Sequence, residues 1–194
     1  MGWVVAVFVV LIAVAIWAWA AESSRKSTLE AHVRGLDGFT AQHILIGADG
    51  ITALAVDDDR KQVCLAASAG GSIGHRLLAY ASIMSVEVEE DGAVISSASR
   101  GSQLAGAAVG GLLLGGVGAV VGAMTGARKE KRQVSRVVLK VTIEDVVDPL
   151  FRVTLQNVPS PSDGVVYKAT CLQTSEWQGR LEAVMRQATR IEAN

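Results

Sequence analysis

Two long uncharged, predominantly apolar runs lie along this chain, and between and after them apolar residues alternate with polar ones. The first run, WVVAVFVVLIAVAIWAWAA from Trp3 to Ala21, has no charge, proline or glycine over 19 residues. As a helix it would be about 28 Å long, the thickness of a bilayer's hydrocarbon core. Trp3 at one end, and Trp17 and Trp19 at the other, stand where indole rings favour the headgroup boundary. No Lys or Arg precedes the run, whereas Arg25, Lys26 and Arg34 follow it. The positive-inside rule then predicts a single-pass anchor over 1–21 and a juxtamembrane linker over 22–40. The C-terminal domain is expected on the cytoplasmic side of a bacterial inner membrane. A cleaved signal peptide is the competing reading, since Ala18-Trp19-Ala20 has a small-x-small form, but the run is too long and lacks a basic start.

The second run, Ser102 to Ala127, is uncharged for 26 residues and has a different grammar. Small residues recur every four positions in two adjacent columns. One column is Ala107, Gly111, Gly115, Ala119, Ala123 and Ala127; the other is Ser102, Gly106, Gly110, Leu114, Gly118, Gly122 and Gly126. Residues four apart share a helix face, so a helix here would carry a broad strip almost bare of side chains, suited to close backbone approach. Glycine costs about 1 kcal/mol relative to alanine inside a helix, which makes such a strip poor design without close packing. A flexible linker would be richer in polar residues. Arg100 precedes the run, and Arg128, Lys129, Lys131 and Arg132 follow it. Two basic flanks predict that both ends lie on one side. The expected form is a helical hairpin bent near Gly115-Gly116, an insertion spanning 101–132.

The rest reads as strands closed by a helix. Gly50 to Val56 and Lys61 to Ala67 flank the polar turn Asp57-Asp58-Asp59-Arg60 and predict a hairpin. Arg76 to Glu90 ends in an alternating stretch with Ile83, Val86 and Val88, and Asp91-Gly92 signals a two-residue hairpin turn. From Val134 to Val146 the alternation is regular, with Val137, Leu139, Val141 and Ile143 on one face. Asp148-Pro149 turns the chain into Phe151 to Val158, and Pro159 and Pro161 close the strand region. Ser175 and Gln178 form a capping-box pattern. Beyond it, Trp177, Leu181, Val184, Met185, Ala188 and Ile191 make an apolar stripe opposite Arg180, Glu182, Arg186 and Arg190. The expected class is α+β: a small split barrel of about seven strands over 41–100 and 133–192, plugged by the terminal helix.

This arrangement resembles the bacterial pleckstrin-homology-like domains. The residues that carry the resemblance are the hairpin around Gly50-Ile51-Thr52, the Tyr80 to Val88 strand, the long strand from Val134 to Ile143, and the last helix entered through Glu176-Trp177. The glycine-rich run would be an insertion between two strands, as in small membrane-anchored bacterial and phage proteins built this way. The resemblance implies binding or assembly through surfaces, and it brings no catalytic motif.

Composition and candidate chemistry sharpen this picture by exclusion. A net charge of -1 argues against a nucleic-acid partner, which needs a basic surface. Two cysteines, Cys64 and Cys171, make no disulfide framework and read as reduced, buried small hydrophobes. Gly70-Gly71-Ser72-Ile73-Gly74 has the letters of a nucleophile elbow, but the only downstream histidine, His75, is too near to complete a triad. Gly118 and Gly122 fall within the four-residue periodicity, and the pattern they form with Gly116 lacks the strand–helix context of a dinucleotide site. His32, His43 and His75 are scattered, and Asp57 to Asp59 read as a solvated turn rather than a cation loop. No catalytic residue, cofactor or metal site is therefore expected.

Three sets of functional residues remain. Gly106, Gly110, Gly111, Gly115, Gly118, Gly122 and Gly126 are assigned to oligomer or membrane packing. Arg128, Lys129, Lys131 and Arg132 are assigned to lipid headgroups, and Trp3, Trp17 and Trp19 to the membrane interface. The expected function is a non-enzymatic, membrane-anchored module that self-associates through its glycine-rich insertion. Membrane lipids, further copies of the chain and an unidentified protein are its expected partners. The alternative is a membrane-active pore or phage exclusion effector.

Overall fold

The computed structural model describes residues 2–100 and 132–192. Helix α1 spans Gly2–Arg34. Four strands follow: β1 (His43–Ile46), β2 (Thr52–Asp57), β3 (Gln62–Ala69) and β4 (Ser72–Ala79), an antiparallel meander in the order β1-β2-β3-β4. A 3-10 turn at Tyr80–Ser82 leads into β5 (Ile83–Glu90) and β6 (Ala93–Ser99). Beyond residue 131 come β7 (Gln133–Val134), β8 (Val137–Ile143), β9 (Leu150–Gln156), β10 (Ser160–Pro161) and helix α2 (Val165–Glu192). The second sheet runs β6-β5-β8-β9, and β7 pairs with β10 in a short separate ladder.

The turns have clear local causes. Asp91 and Gly92 both take positive φ, 47° and 87°, the conformation of a two-residue hairpin whose twist matches its strands. At the β3–β4 hairpin Gly70 and Gly71 take φ of 59° and 86°, and the Ser72 hydroxyl donates to the Ala69 carbonyl at 3.0 Å. The GGSIG motif is thus a tight β-turn, without the helix that a nucleophile elbow requires.

Alternation sorts the side chains of β2 and β3 by size. Leu54, Val56, Val63 and Leu65 face the second sheet and join Val86, Val88, Leu139, Val141 and Val153 in the main core. Ala53, Ala55, Cys64 and Ala66 face the other way, where α1 lays Leu29 and Val33 against them and Phe39 packs alongside. Small side chains on this face let the helix sit close to the sheet. Helix α2 covers the main core with Trp177, Leu181, Val184, Met185 and Ala188.

Several expectations are corrected here. Among the described residues no helix is long and apolar enough to cross a membrane. The single-pass anchor over Trp3–Ala21, and the inner-membrane localisation built on it, are therefore not supported. The apolar run is instead the first part of a 33-residue helix that continues unbroken into polar residues, so 22–34 is helical rather than a linker. The last turns of that helix are docked, with Leu29 and Val33 both at 0% exposure.

The closed barrel is also corrected, because the two four-stranded sheets remain open. They turn into each other at the 3-10 corner, and the Ala48 N–H reaches the Thr154 carbonyl at 2.6 Å, but no strand ladder joins them. Ten strands, rather than about seven, are described.

Helix α2 begins ten residues before the expected cap. Gly164 follows the Pro159 and Pro161 turns, and its carbonyl accepts the N–H of Lys168. Ser175 consequently lies inside the helix, and Gln178, expected as a cap partner, is buried and donates to the Ser96 hydroxyl at 2.9 Å. Ile191, at the end of the expected stripe, is exposed. Trp177 is 4% exposed, with the Arg180 guanidinium 4.9 Å from its ring centroid. Trp177→Ala should lower stability by about 3–5 kcal/mol, the usual cost of deleting a buried aromatic ring. Urea denaturation of the variant against the parent measures this, and an unchanged midpoint would mean that the helix is peripheral.

Candidate functional site

The glycine-rich insertion leaves the second sheet after β6 and returns ahead of β7, so its two stems define the candidate site. At the outgoing stem the Arg100 N–H donates to the Met84 carbonyl at 3.0 Å. Its guanidinium reaches the Ala81 carbonyl at 2.6 Å and Glu192 of α2 at 2.8 Å. At the returning stem the Arg132 carbonyl accepts the Ser162 N–H at 2.8 Å, and its guanidinium meets Glu90 at 2.5 Å.

Glu90 is the unusual member, a carboxylate 2% exposed at the end of β5. Its other oxygen accepts the Tyr167 hydroxyl at 2.5 Å. Burial, and then this bond to a carboxylate, push the Tyr167 phenol well above its ordinary range, so it stays a donor. Burial likewise raises the neighbouring Cys171 thiol, against a weaker pull from Tyr167. One buried acid thereby joins the returning stem, the end of β5 and the first turn of α2.

Two further contacts fix the chain just beyond Arg132. Asp91 accepts the N–H groups of Ser135 and Arg136 at 3.0 and 2.9 Å. The Gln156 amide donates to the Val134 and Val158 carbonyls and to the Ser160 hydroxyl.

Of the residues chosen from sequence, Gly106, Gly110, Gly111, Gly115, Gly118, Gly122 and Gly126, with Arg128, Lys129 and Lys131, lie outside the described residues. Arg132, expected at lipid headgroups, is paired with Glu90. Trp3 and Trp17 are 76% and 73% exposed, and nothing is described of the Trp19 side chain. Cys64 and Cys171 are both free thiols, and burial pushes Cys64 up to about 11.

Asp57 corrects the expectation of a solvated turn. It is fully buried and accepts the N–H groups of Thr40, Asp59 and Arg60 at 2.7, 3.1 and 3.0 Å, with the Arg60 guanidinium at 3.1 Å. Burial opposes its charge, but the Thr40 and Arg60 N–H groups and the Arg60 guanidinium outweigh it and hold the carboxyl below its usual range. Glu90 was missed from sequence. The signal was phase: Val86, Val88 and Glu90 alternate onto one inward face, which places a carboxylate where an apolar side chain belongs.

Two open sheets sealed by a C-terminal helix, with an insertion rooted between β6 and β7, make a surface-presenting domain of the pleckstrin-homology kind. A family model described as a glycine zipper containing PH domain matches residues 42–157, and the chain belongs to that family. No curated protein and no solved structure matches the chain. PH-like domains are generally non-catalytic interaction modules.

Two outcomes follow from the site's electrostatics. A depressed carboxyl contributes stability above its unfolded pKa of about 3.9 and loses it as pH falls through the folded value. Asp57→Asn should therefore cost about 1–3 kcal/mol at neutral pH. That deficit should shrink on acidification below about pH 4, as followed by urea midpoints across pH. Arg132→Met strands the Glu90 charge in the interior and should cost about 3–5 kcal/mol. Adding Glu90→Gln should recover most of it, since the amide oxygen still accepts from Tyr167, and a double-mutant cycle reads that recovery as coupling.

Proposed function

We propose that this chain is a non-catalytic module that self-associates through its glycine-rich insertion, with the PH-like domain as the platform that presents it. The observation that carries this reading is the anchoring of both stems. Arg100 is tied to β5, the 3-10 turn and α2, while Arg132 is tied to Glu90 and Ser162. A segment meant only as slack needs no such footing. A segment through which copies join does, because loosely held ends would lose on assembly the orientational freedom that fixed ends have already given up.

The composition of the insertion supports the same reading. Its small residues repeat at spacing four in two columns, and such columns allow close backbone approach. The basic flank of Arg128, Lys129 and Lys131 limits where copies can meet, since like charges repel when brought side by side.

Gly111→Leu and Gly118→Leu add bulk to one column each. Each should reduce or abolish the oligomer seen by cross-linking and native mass, while circular dichroism shows the domain still folded. Should both variants assemble like the parent, the columns have no packing role and this reading fails.

A further inference from the structure

His32 and His75 are 43 positions apart in the chain, yet His32 Nε2 and His75 Nδ1 lie 3.2 Å from each other. Their rings are tilted by 59°, with centroids 5.2 Å apart. The pair bridges α1 and β4 at the rim of the seam where the helix lies on the first sheet. Each backbone position is set by packing that owes nothing to the histidines. His32 stands between Leu29 and Val33, both fully buried against the sheet. Ile73, two residues before His75 on the same face of β4, packs against that same apolar cluster. Across the ladder His75 pairs with Ala66, whose methyl leaves room above the sheet for two imidazoles.

We propose that His32 and His75 form a two-imidazole site for a late first-row divalent cation of the Zn2+ class, clipping α1 to β4. Imidazole nitrogen is a favoured ligand for these metals. Two nitrogens bound at about 2.0–2.1 Å to a tetrahedral ion stand about 3.3 Å from each other, and this pair is held within that spacing. A hydrogen bond between two solvent-exposed imidazoles is a weak reason to converge them, because water would serve each ring nearly as well. A shared cation is a stronger one. The solvent side of the rim leaves its other coordination positions to water. The site also gives the seam between helix and sheet a polar fastening that Leu29, Val33 and the small residues beneath them lack.

The test is calorimetric titration of the full chain with zinc chloride, run beside His32→Ala, His75→Ala and, as a control, His43→Ala. The parent should show saturable one-to-one binding. Either seam variant should weaken it by about tenfold or more, and His43→Ala should leave it unchanged. In the same samples zinc should slow tryptic cleavage at Arg34 in the parent but not in the seam variants. Thermal unfolding without metal checks that the variants fold. Absence of saturable binding to the parent, or binding that survives unchanged in both seam variants, would overturn the assignment.

Discussion

The division of β2 and β3 by side-chain size governs the architecture on both sides of the first sheet. Leu54, Val56, Val63 and Leu65 supply one face with enough bulk to fill the space before the second sheet. Ala53, Ala55, Cys64 and Ala66 make the opposite face shallow, and a shallow apolar face in water has to be covered. Helix α1 covers it with two residues four apart, Leu29 and Val33. Exchanging the two sets would empty the main core and push the helix off the sheet together. The seat of α1, and so the meeting of His32 with His75, depends on that alternation.

A second constraint acts in the other sheet, at the end of its interior strand β5. A carboxylate as buried as Glu90 persists only with partners, because an unpaired buried charge costs several kcal/mol. Its partners come from two distant places, Arg132 at the return of the insertion and Tyr167 at the start of α2. Satisfying one acid therefore requires the insertion's stem, the strand end and the helix to be in register with one another. This explains how a domain interrupted by a long uncharged segment keeps its second half in place: β8 must reach β5, and the Arg132–Glu90 pair holds the chain at the point where it returns. Lys140, paired with Glu87 and Glu89, extends the same charge matching along the β5–β8 ladder.

Local signals made much of this fold legible. The Asp91-Gly92 turn, the β2–β3 hairpin, the alternation of β8 and the stripe from Trp177 to Ala188 all follow from periodicity and turn chemistry, which act over a few residues. The misreadings came where distant parts decide. Ser175 and Gln178 match a capping pattern, yet the Pro161–Gly164 turn starts the helix earlier and Ser96 claims the Gln178 amide. Barrel closure depends on which strand edges meet, and alternation within a strand carries no information about that. The apolar run at Trp3–Ala21 invited a reading by composition alone. The docking of its continuation through Leu29 and Val33 depends on a face of small residues that begins twenty residues beyond Val33, at Ala53. The Ala-x-Ala phase of β2 was the available signal, and it becomes informative only once a helix is sought to cover it.

These two constraints act on different parts of the chain, and that bears on how an interaction module of this family can work. The α1 seam lies on the outer face of the first sheet, whereas the insertion's stems are fastened to the second sheet and to α2. Each attachment rests on its own residues: apolar packing and a histidine pair in one case, a buried acid with two donors in the other. Forces on the insertion pass through Arg100, Arg132 and Glu90 into β5, an interior strand of the second sheet, flanked by β6 and β8. A central strand is where a sheet yields least, since moving it breaks two ladders at once. Contacts made through the insertion would thus orient the domain as a rigid unit, and the α1 seam could change its hold without loosening the stems.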